Sequence, residues 1–262
     1  MEQKIYERNL IRNKRLIIAA RFLILFSFIL IWEFASRFGI IDSFFFSSPT
    51  GVIESIREVS LNGGILVHTG VTLYETMLSF VLTVLVSILI AILLWIFSTA
   101  AKVFEPFLVA LNSLPKSALA PLLIVWLGTG SKTIIIAGMS VAIFGSIINL
   151  YYGFKQSDEE SAKLIYTLGG TKKDVLLKII LPGCVPVILS NMKVNIGLCL
   201  VGVIIGEFLA ARRGLGYIII YSTQVFKLDW LIMSILILCF IALILYFILQ
   251  FMEKKLTQFF MS

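Results

Sequence analysis

WLIMSILILCFIALILYFILQF, residues 230–251, is an uninterrupted stretch without a single charged side chain. A membrane-spanning helix needs about 20 mostly apolar residues, so this stretch predicts a helix that crosses a lipid bilayer. Five more apolar segments precede it, at about 16–38, 71–97, 103–127, 133–152 and 184–209, the third interrupted by two prolines. The sequence therefore predicts an all-α, polytopic membrane protein with about six transmembrane helices.

The composition of the whole chain agrees with a lipid environment. Of its 262 residues, 59% are hydrophobic and only 14% are charged, and the mean hydropathy is +1.01. A soluble domain is about half apolar and a quarter charged, so this chain has too few charges to cover a soluble surface. We predict a cytoplasmic N-terminal tail at 1–15 and a transmembrane domain at 16–262.

Lysine and arginine are unevenly shared between the segments that join the predicted helices. Most lie in 1–15, near residue 102, in the loop 153–178 and in the C-terminal tail, and fewer lie in 39–70, 128–132 and 210–228. Basic residues accumulate in cytoplasmic connections, so both termini are predicted to be cytoplasmic. The net charge of +7 is then explained by the membrane face, and no nucleic-acid partner is expected.

Motifs for covalent chemistry are missing from the sequence. It contains no G-x-x-x-x-G-K-[ST], H-E-x-x-H or G-x-S-x-G motif. The three cysteines lack metal-ligand spacing, and His68 is the single histidine. We therefore expect no catalytic residue, no metal site and no cofactor bound by this chain.

The longest polar stretch between predicted spans is SDEESAKLIYTLGGTKKDVLLKIILP, residues 157–182. Ser157 and Glu160 have capping-box spacing, which predicts a helix that begins there. Gly169 and Gly170 predict its end, and a second helix then enters the membrane. Such a segment is either a docking site for a soluble motor or an ordinary solvated connector.

Part of this stretch carries a resemblance to a known family. GGTKKDVLLKIILPGCVPVI, residues 169–188, resembles the EAA loop of bacterial ABC importer permeases, E-A-A-x-x-x-G followed about a dozen residues later by L-P. Gly169 matches the glycine, and Leu181 and Pro182 match the L-P. The first half departs from the pattern, because Lys163 replaces the glutamate and Leu164 and Ile165 replace the alanines.

Three further segments resemble one branch of that family, the permeases for nitrate, sulfonate, taurine and thiamine precursors. They are SPTGVI (48–53), LPKSALAPLLIVWLGTGSK (114–132) and GEFLAARRGLGYIII (206–220). The resemblance spans about 45–255. It implies a type I ABC importer permease fold in a bacterial plasma membrane.

The resemblance also implies partners. These are a second copy of the permease, two cytoplasmic ATPase subunits that hold ATP and Mg, an extracytoplasmic substrate-binding protein (a lipoprotein in one interpretation) and membrane lipid. The 153–178 segment would be the coupling loop to the ATPase. Its expected coupling residues are Lys163, Leu164, Leu168, Gly169, Gly170, Thr171, Leu181 and Pro182.

Charged residues and prolines within the predicted spans are candidates for the transport pathway. A charge at membrane depth is expensive and points to function unless it is paired or reaches water. Lys116 either attracts substrate or has a structural partner. Lys193 either faces the pathway or reaches the cytoplasmic surface, and Glu207 could brace the GLGY turn or Arg212. The expected pathway or gate residues are Asn112, Pro115, Lys116, Lys193 and Glu207.

The function predicted from the sequence is the membrane-spanning permease subunit of an ATP-driven importer for a small organic or anionic solute. The first alternative is a self-sufficient secondary transporter, which would need more ionisable residues at the bilayer midplane. The second is an intramembrane enzyme, which would need an indispensable Ser, Asp or Glu.

Overall fold

The computed structural model describes residues 2–61, 64–156 and 159–261, and every regular element in these ranges is helical. The helices are α1 Glu2–Arg37, α2 Ser43–Phe46, α3 Pro49–Leu61, α4 Gly64–Ile96, α5 Ser98–Ser113, α6 Lys116–Leu127, α7 Ser131–Lys155, α8 Glu159–Thr167, α9 Lys172–Val175, α10 Leu181–Gly183, α11 Val185–Ala210, α12 Leu215–Gln224 and α13 Leu228–Met261, with a π-helical turn at Leu176–Ile180 between α9 and α10.

Five of the described helices are long and apolar enough to cross a membrane, and they confirm five of the six predicted spans. They lie at Ala19–Arg37, Gly64–Ile96, Ser131–Lys155, Val185–Ala210 and Leu228–Lys255. The residues of the predicted cytoplasmic tail belong to α1, which runs without a break from Glu2 into the first span. The cytoplasmic position of this tail stays a prediction. The helix α3 lies between the first two spans along the chain.

The third predicted span is not one straight helix. Its two halves, α5 and α6, meet at an angle of 96°. The break falls at Leu114 and Pro115, whereas Pro121 lies inside α6 without interrupting it. Proline removes a backbone donor and disfavours helical geometry in the residue before it, so Leu114 is extended and α5 ends at Ser113. The pair forms either a broken span or a re-entrant segment.

The core of the bundle consists of α4, α7 and α11, and α7 packs against each of the other two more extensively than any other pair of described helices does. Polar side chains join them at mid-length, where the Ser146 hydroxyl donates to Ser87 over 2.8 Å and accepts from the amides of Asn191 and Asn195 over 2.6 and 2.9 Å. Hydrogen bonds of this kind hold helices together where the hydrophobic effect does not act between them.

The two ends of the bundle carry different short elements. At one end, α3 is tied to α13 because Glu58 accepts hydrogen bonds from the Trp230 indole and the Lys227 ammonium over 3.0 and 3.2 Å. These two bonds, Trp230 first, lower the pKa of Glu58. The short helix α12 lies at the same end, which we call the α12 end. The opposite end carries α8 and α9 and is called the α8 end.

Candidate functional site

The predicted coupling loop is a well-defined helix–turn–helix at the α8 end. After α8, the Gly170 N–H donates to Ile165 O over 2.9 Å and the Gly169 N–H donates to Tyr166 O over 3.0 Å. This pair of bonds is a Schellman motif, which requires a left-handed residue. Gly169 supplies it with φ +81°, as predicted from the glycine pair. Ser157, the expected helix cap, lies outside the described residues.

The second half of this loop begins with a capping box. The Thr171 side chain and the Asp174 side chain each bond the other residue's backbone N–H. Bonds from the Thr171 hydroxyl and from Lys178, followed by the Thr171 N–H, hold the pKa of Asp174 well below its usual range. The Schellman motif and the capping box follow each other directly, so the turn between α8 and α9 has a fixed geometry. We call residues 159–180 the α8–α9 segment.

One side of the α8–α9 segment is built into the bundle. Val175, Leu176 and Ile180 are buried against Leu150 and Phe154. The π turn extends this contact toward Leu181, whose N–H reaches Leu176 O, five residues back. A π turn next to Pro182 is expected, since proline interrupts the regular helical ladder.

A lysine that the sequence analysis did not single out joins this segment to α4. The Lys172 ammonium donates to Ile96 O, at the last residue of α4, over 2.5 Å. It also lies 5.4 Å from the centre of the Trp95 ring. The C-terminal carbonyls of a helix attract cations, so Lys172 fastens the segment to the end of a core helix.

The other side of the segment presents apolar side chains that no described element covers. Leu164 is 60% exposed and Leu168 is 76% exposed, and both lie on one face because they are four residues apart. Ala162 and Ile165, on the opposite face of α8, pack against the buried cluster described above. The helix is therefore held from one face and leaves two leucines exposed on the other.

At the α12 end, Glu207 braces the GLGY turn, one of the two roles predicted for it. Its carboxylate accepts a hydrogen bond from the Gly216 N–H over 2.6 Å and another from the Thr72 hydroxyl over 2.7 Å. Thr72 in turn accepts from the Leu215 N–H over 2.8 Å. The carboxylate thus lies at the N-terminus of α12, where a negative charge is favourable. The other predicted partner, Arg212, is exposed.

The glycines of this turn make room for Glu207. A Cβ at Gly214 would lie 2.4 Å from both Cδ and Oε1 of Glu207, and one at Gly216 would lie 2.8 Å from its Cβ. Gly214 also has φ +117°, a conformation that other residues rarely adopt. His68 completes the junction, since its Nδ1 lies 3.0 Å from both the backbone N and O of Gly214.

A second acidic residue, Glu75, lies beside Glu207 and was missed by the sequence analysis. It is 1% exposed, and its Oε2 has no hydrogen-bond partner among the described residues. The polar groups next to its carboxyl are Ser131 and Glu207. Glu75 lies within the predicted second span, so the rule that a charge at membrane depth marks a site would have found it.

Lys116 donates hydrogen bonds to backbone carbonyls at the break between α5 and α6. Its ammonium donates to Leu111 O and, over 3.3 Å, to Asn112 O. It also lies 5.3 Å from the centre of the Phe144 ring. These carbonyls are among the last of α5 and lack helical donors because Pro115 ends the helix. The structural alternative for Lys116 therefore has specific partners, and Asn112, Pro115 and Lys116 lie together at one corner.

Lys193 forms an ion pair with Glu253, between α11 and α13. Its ammonium lies 2.7 Å from Glu253 Oε2, and both side chains are largely covered. The pair lies far along α11 from Glu207, so the structure does not bring these two predicted pathway residues together. Among the described residues, no three or more His, Cys, Asp or Glu side chains lie close enough together to hold a metal ion.

Known proteins are similar to this chain in sequence and in fold. The family model described as "Binding-protein-dependent transport system inner membrane component" matches residues 83–259. The formylaminopyrimidine transport permease protein ThiX of Halalkalibacterium halodurans is 27% identical over 71% of this chain and 74% of its own length. The taurine transport system permease protein TauC of Escherichia coli is 24% identical, over 87% of this chain and 84% of its own.

A solved structure gives the fold independently. A chain of the MetNI methionine ABC transporter, in an inward-facing conformation, matches 74% of this chain and 94% of its own length with a TM-score of 0.63. The sequence identity is 16%, so this match concerns the fold alone. It confirms the predicted type I ABC importer permease fold.

Proposed function

The chain belongs to the family of binding-protein-dependent transport system inner membrane components, and we propose that its α8–α9 segment is the site where a partner ATPase drives transport. The family and the relatives make the chain the membrane-spanning permease subunit of an ATP-driven importer. Its ATPase is a separate subunit, and a substrate-binding protein delivers the solute. The family and the relatives support this function over the secondary-transporter and enzyme alternatives.

The observation that carries the coupling proposal is the two-sided packing of the α8–α9 segment. Leu164 and Leu168 are exposed at the end of the bundle, where no lipid chain is expected to cover a loop between spans. Apolar side chains at this spacing are typical of a helix that enters a partner's groove. Lys163 and Thr171 flank the exposed face, and Gly169, Gly170, Leu181 and Pro182 fix its geometry.

The segment is suited to transmit force because it is rigid and attached. A partner that moves α8 would move α9 through the fixed turn. Lys172 and the buried face of α9 would then carry the motion to α4, whose far end holds Thr72 and Glu75 near the α12 turn. In this mechanism ATP-driven closure of the partner subunits shifts the bundle between inward-open and outward-open states.

We further propose that the α8 end is cytoplasmic, that the α12 end is extracytoplasmic, and that two copies of the chain form the pathway in a bacterial plasma membrane. The uneven distribution of lysine and arginine between the segments that join the spans supports this orientation. Asn112, Pro115 and Lys116 are the proposed pathway residues, since broken helices at membrane depth are tolerated where they line a cavity or are buried in protein. The solute is a small organic molecule, because the relatives carry taurine and formylaminopyrimidine in their names.

Cysteine labelling tests the orientation. In a Cys239→Ser background, Ser60→Cys and Thr223→Cys should react with a membrane-impermeant thiol reagent in intact cells, and Lys163→Cys should react only after lysis. All three native side chains are exposed in the structure, so labelling reports the side of the membrane. Reaction of Lys163→Cys in intact cells, with protection of the other two, would invert the proposal.

A further inference from the structure

We infer that the cavity beside Glu75 at the α12 end is a recognition site for a small zwitterion, with Glu75 binding its protonated amine. The cavity has a volume of about 590 Å³. Cavities of a few hundred Å³ that hold small molecules combine apolar walls with a few convergent polar groups. This inference rests on the proposed import function, because it places a solute at the extracytoplasmic end of the permease.

The first observation behind this inference is a buried carboxyl group in the wall of the cavity. Glu75 contributes to its wall, and its Oε2 is buried without a hydrogen-bond partner in the part of the chain that the structure describes. A buried acceptor without a donor is unfavourable, and a buried carboxyl that touches a second carboxyl lacks a compensating positive charge. A protonated amine placed against Oε2 supplies both the donor and the charge.

The second, independent observation is a pair of arginines in the wall of the same cavity. Arg212 and Arg213 contribute to the same wall and are exposed. The first turn of α7, at Gly130 and Ser131, also lines the cavity, and a helix N-terminus favours negative charge. Guanidinium groups bind sulfonate, carboxylate and phosphate oxygens with charge-assisted hydrogen bonds. An anionic group of the solute therefore has partners in the same cavity as the amine.

Glu207 has a structural role, whereas Glu75 is the proposed binding residue. Its two oxygens are already occupied by Thr72 and the Gly216 N–H, so it holds the α12 turn against the cavity wall. Glu75 keeps one oxygen free. We therefore expect Glu75 to determine whether a solute needs an amine in order to bind. We expect Arg212 and Arg213 to determine whether it needs an anionic group.

The test uses the permease assembled with its partner ATPase in lipid nanodiscs and three matched probes: taurine, ethanesulfonate, which lacks the amine, and ethylamine, which lacks the anion. Titration calorimetry should find taurine bound about tenfold more tightly than either other probe. Glu75→Gln should weaken taurine binding about tenfold, the loss of one charge-assisted hydrogen bond, and leave ethanesulfonate unchanged. Arg212→Gln with Arg213→Gln should weaken taurine and ethanesulfonate alike.

Controls separate recognition from folding and from the proposed function. Glu54→Gln alters an exposed carboxylate of α3 that does not line the cavity, and it should leave all three affinities unchanged. Glu75→Asp keeps the carboxylate and should retain the preference for taurine. Equal affinity for taurine and ethanesulfonate, or taurine binding that Glu75→Gln leaves intact, would overturn the inference. Such a result with the ATPase still retained would leave the coupling proposal standing, whereas loss of the ATPase from the unmodified permease would remove that proposal.

Discussion

Gly214→Ala is predicted to destabilise the α12 end because this position has neither the backbone freedom nor the space for a side chain. Gly214 has φ +117° and ψ 162°, a region that is essentially restricted to glycine, and occupying it with alanine costs about 1–3 kcal/mol. The added Cβ would lie 2.4 Å from Glu207 Oε1, so the carboxylate must move. Its bonds to Thr72 and Gly216 would then be lost, at about 1 kcal/mol each.

The expected sum is about 4 kcal/mol, taking the middle of the strain range with both hydrogen bonds. Thermal unfolding of the purified permease in detergent should show a clearly lowered midpoint. Gly197→Ala is the matched control, since Gly197 lies in α11 and a Cβ there meets no atom within 4 Å. That variant should be neutral or slightly stabilised, because alanine favours helix over glycine.

A double-mutant cycle identifies the cause. If the clash with Glu207 contributes, Gly214→Ala should cost less in a Glu207→Ala background, where only the backbone strain remains. A Gly214→Ala permease that unfolds at the temperature of the unmodified protein would refute the account of this turn. If Gly214→Ala destabilises the permease equally in the two backgrounds, the clash with the Glu207 carboxylate does not contribute.

Three further tests concern other elements. Gly169→Val should leave the permease inserted but sharply lower solute-stimulated ATP hydrolysis, since valine is strained at φ +81°; normal stimulation would mean that the turn geometry is unimportant. Lys116→Met should lower uptake while the ATPase stays bound, and unchanged uptake would restrict Lys116 to its bonds with the α5 carbonyls. Lys193→Ala and Glu253→Ala should be non-additive in unfolding by about 1 kcal/mol, and additive losses would show that the observed ion pair is energetically neutral.

The spans and the glycine turn could be predicted because local chemistry decides them. A charge-free stretch such as 230–251 has few alternatives to a membrane helix. Gly169 and Gly170 likewise end α8 through backbone geometry that depends on neighbouring residues alone.

The features that were missed depend on contacts distant in sequence. The 96° bend at Pro115 was not predicted, because proline interrupts a helix without fixing the direction of the next one. Lys172 reaches Ile96 across 76 positions, and Thr72 reaches Glu207 across 135. Glu75 is different, since a lone carboxylate in an apolar segment was visible in the sequence.

The most direct test of the account replaces one exposed leucine of the proposed docking face and measures retention of the ATPase. Leu168→Asp should weaken co-purification of the ATPase with the permease and lower ATP hydrolysis by the assembled complex. Leu61→Asp is the matched control, because Leu61 is 78% exposed at the α12 end, against 76% for Leu168. We expect loss of the ATPase with Leu168→Asp alone; equal retention and equal hydrolysis in both variants would contradict the docking role of the α8–α9 segment.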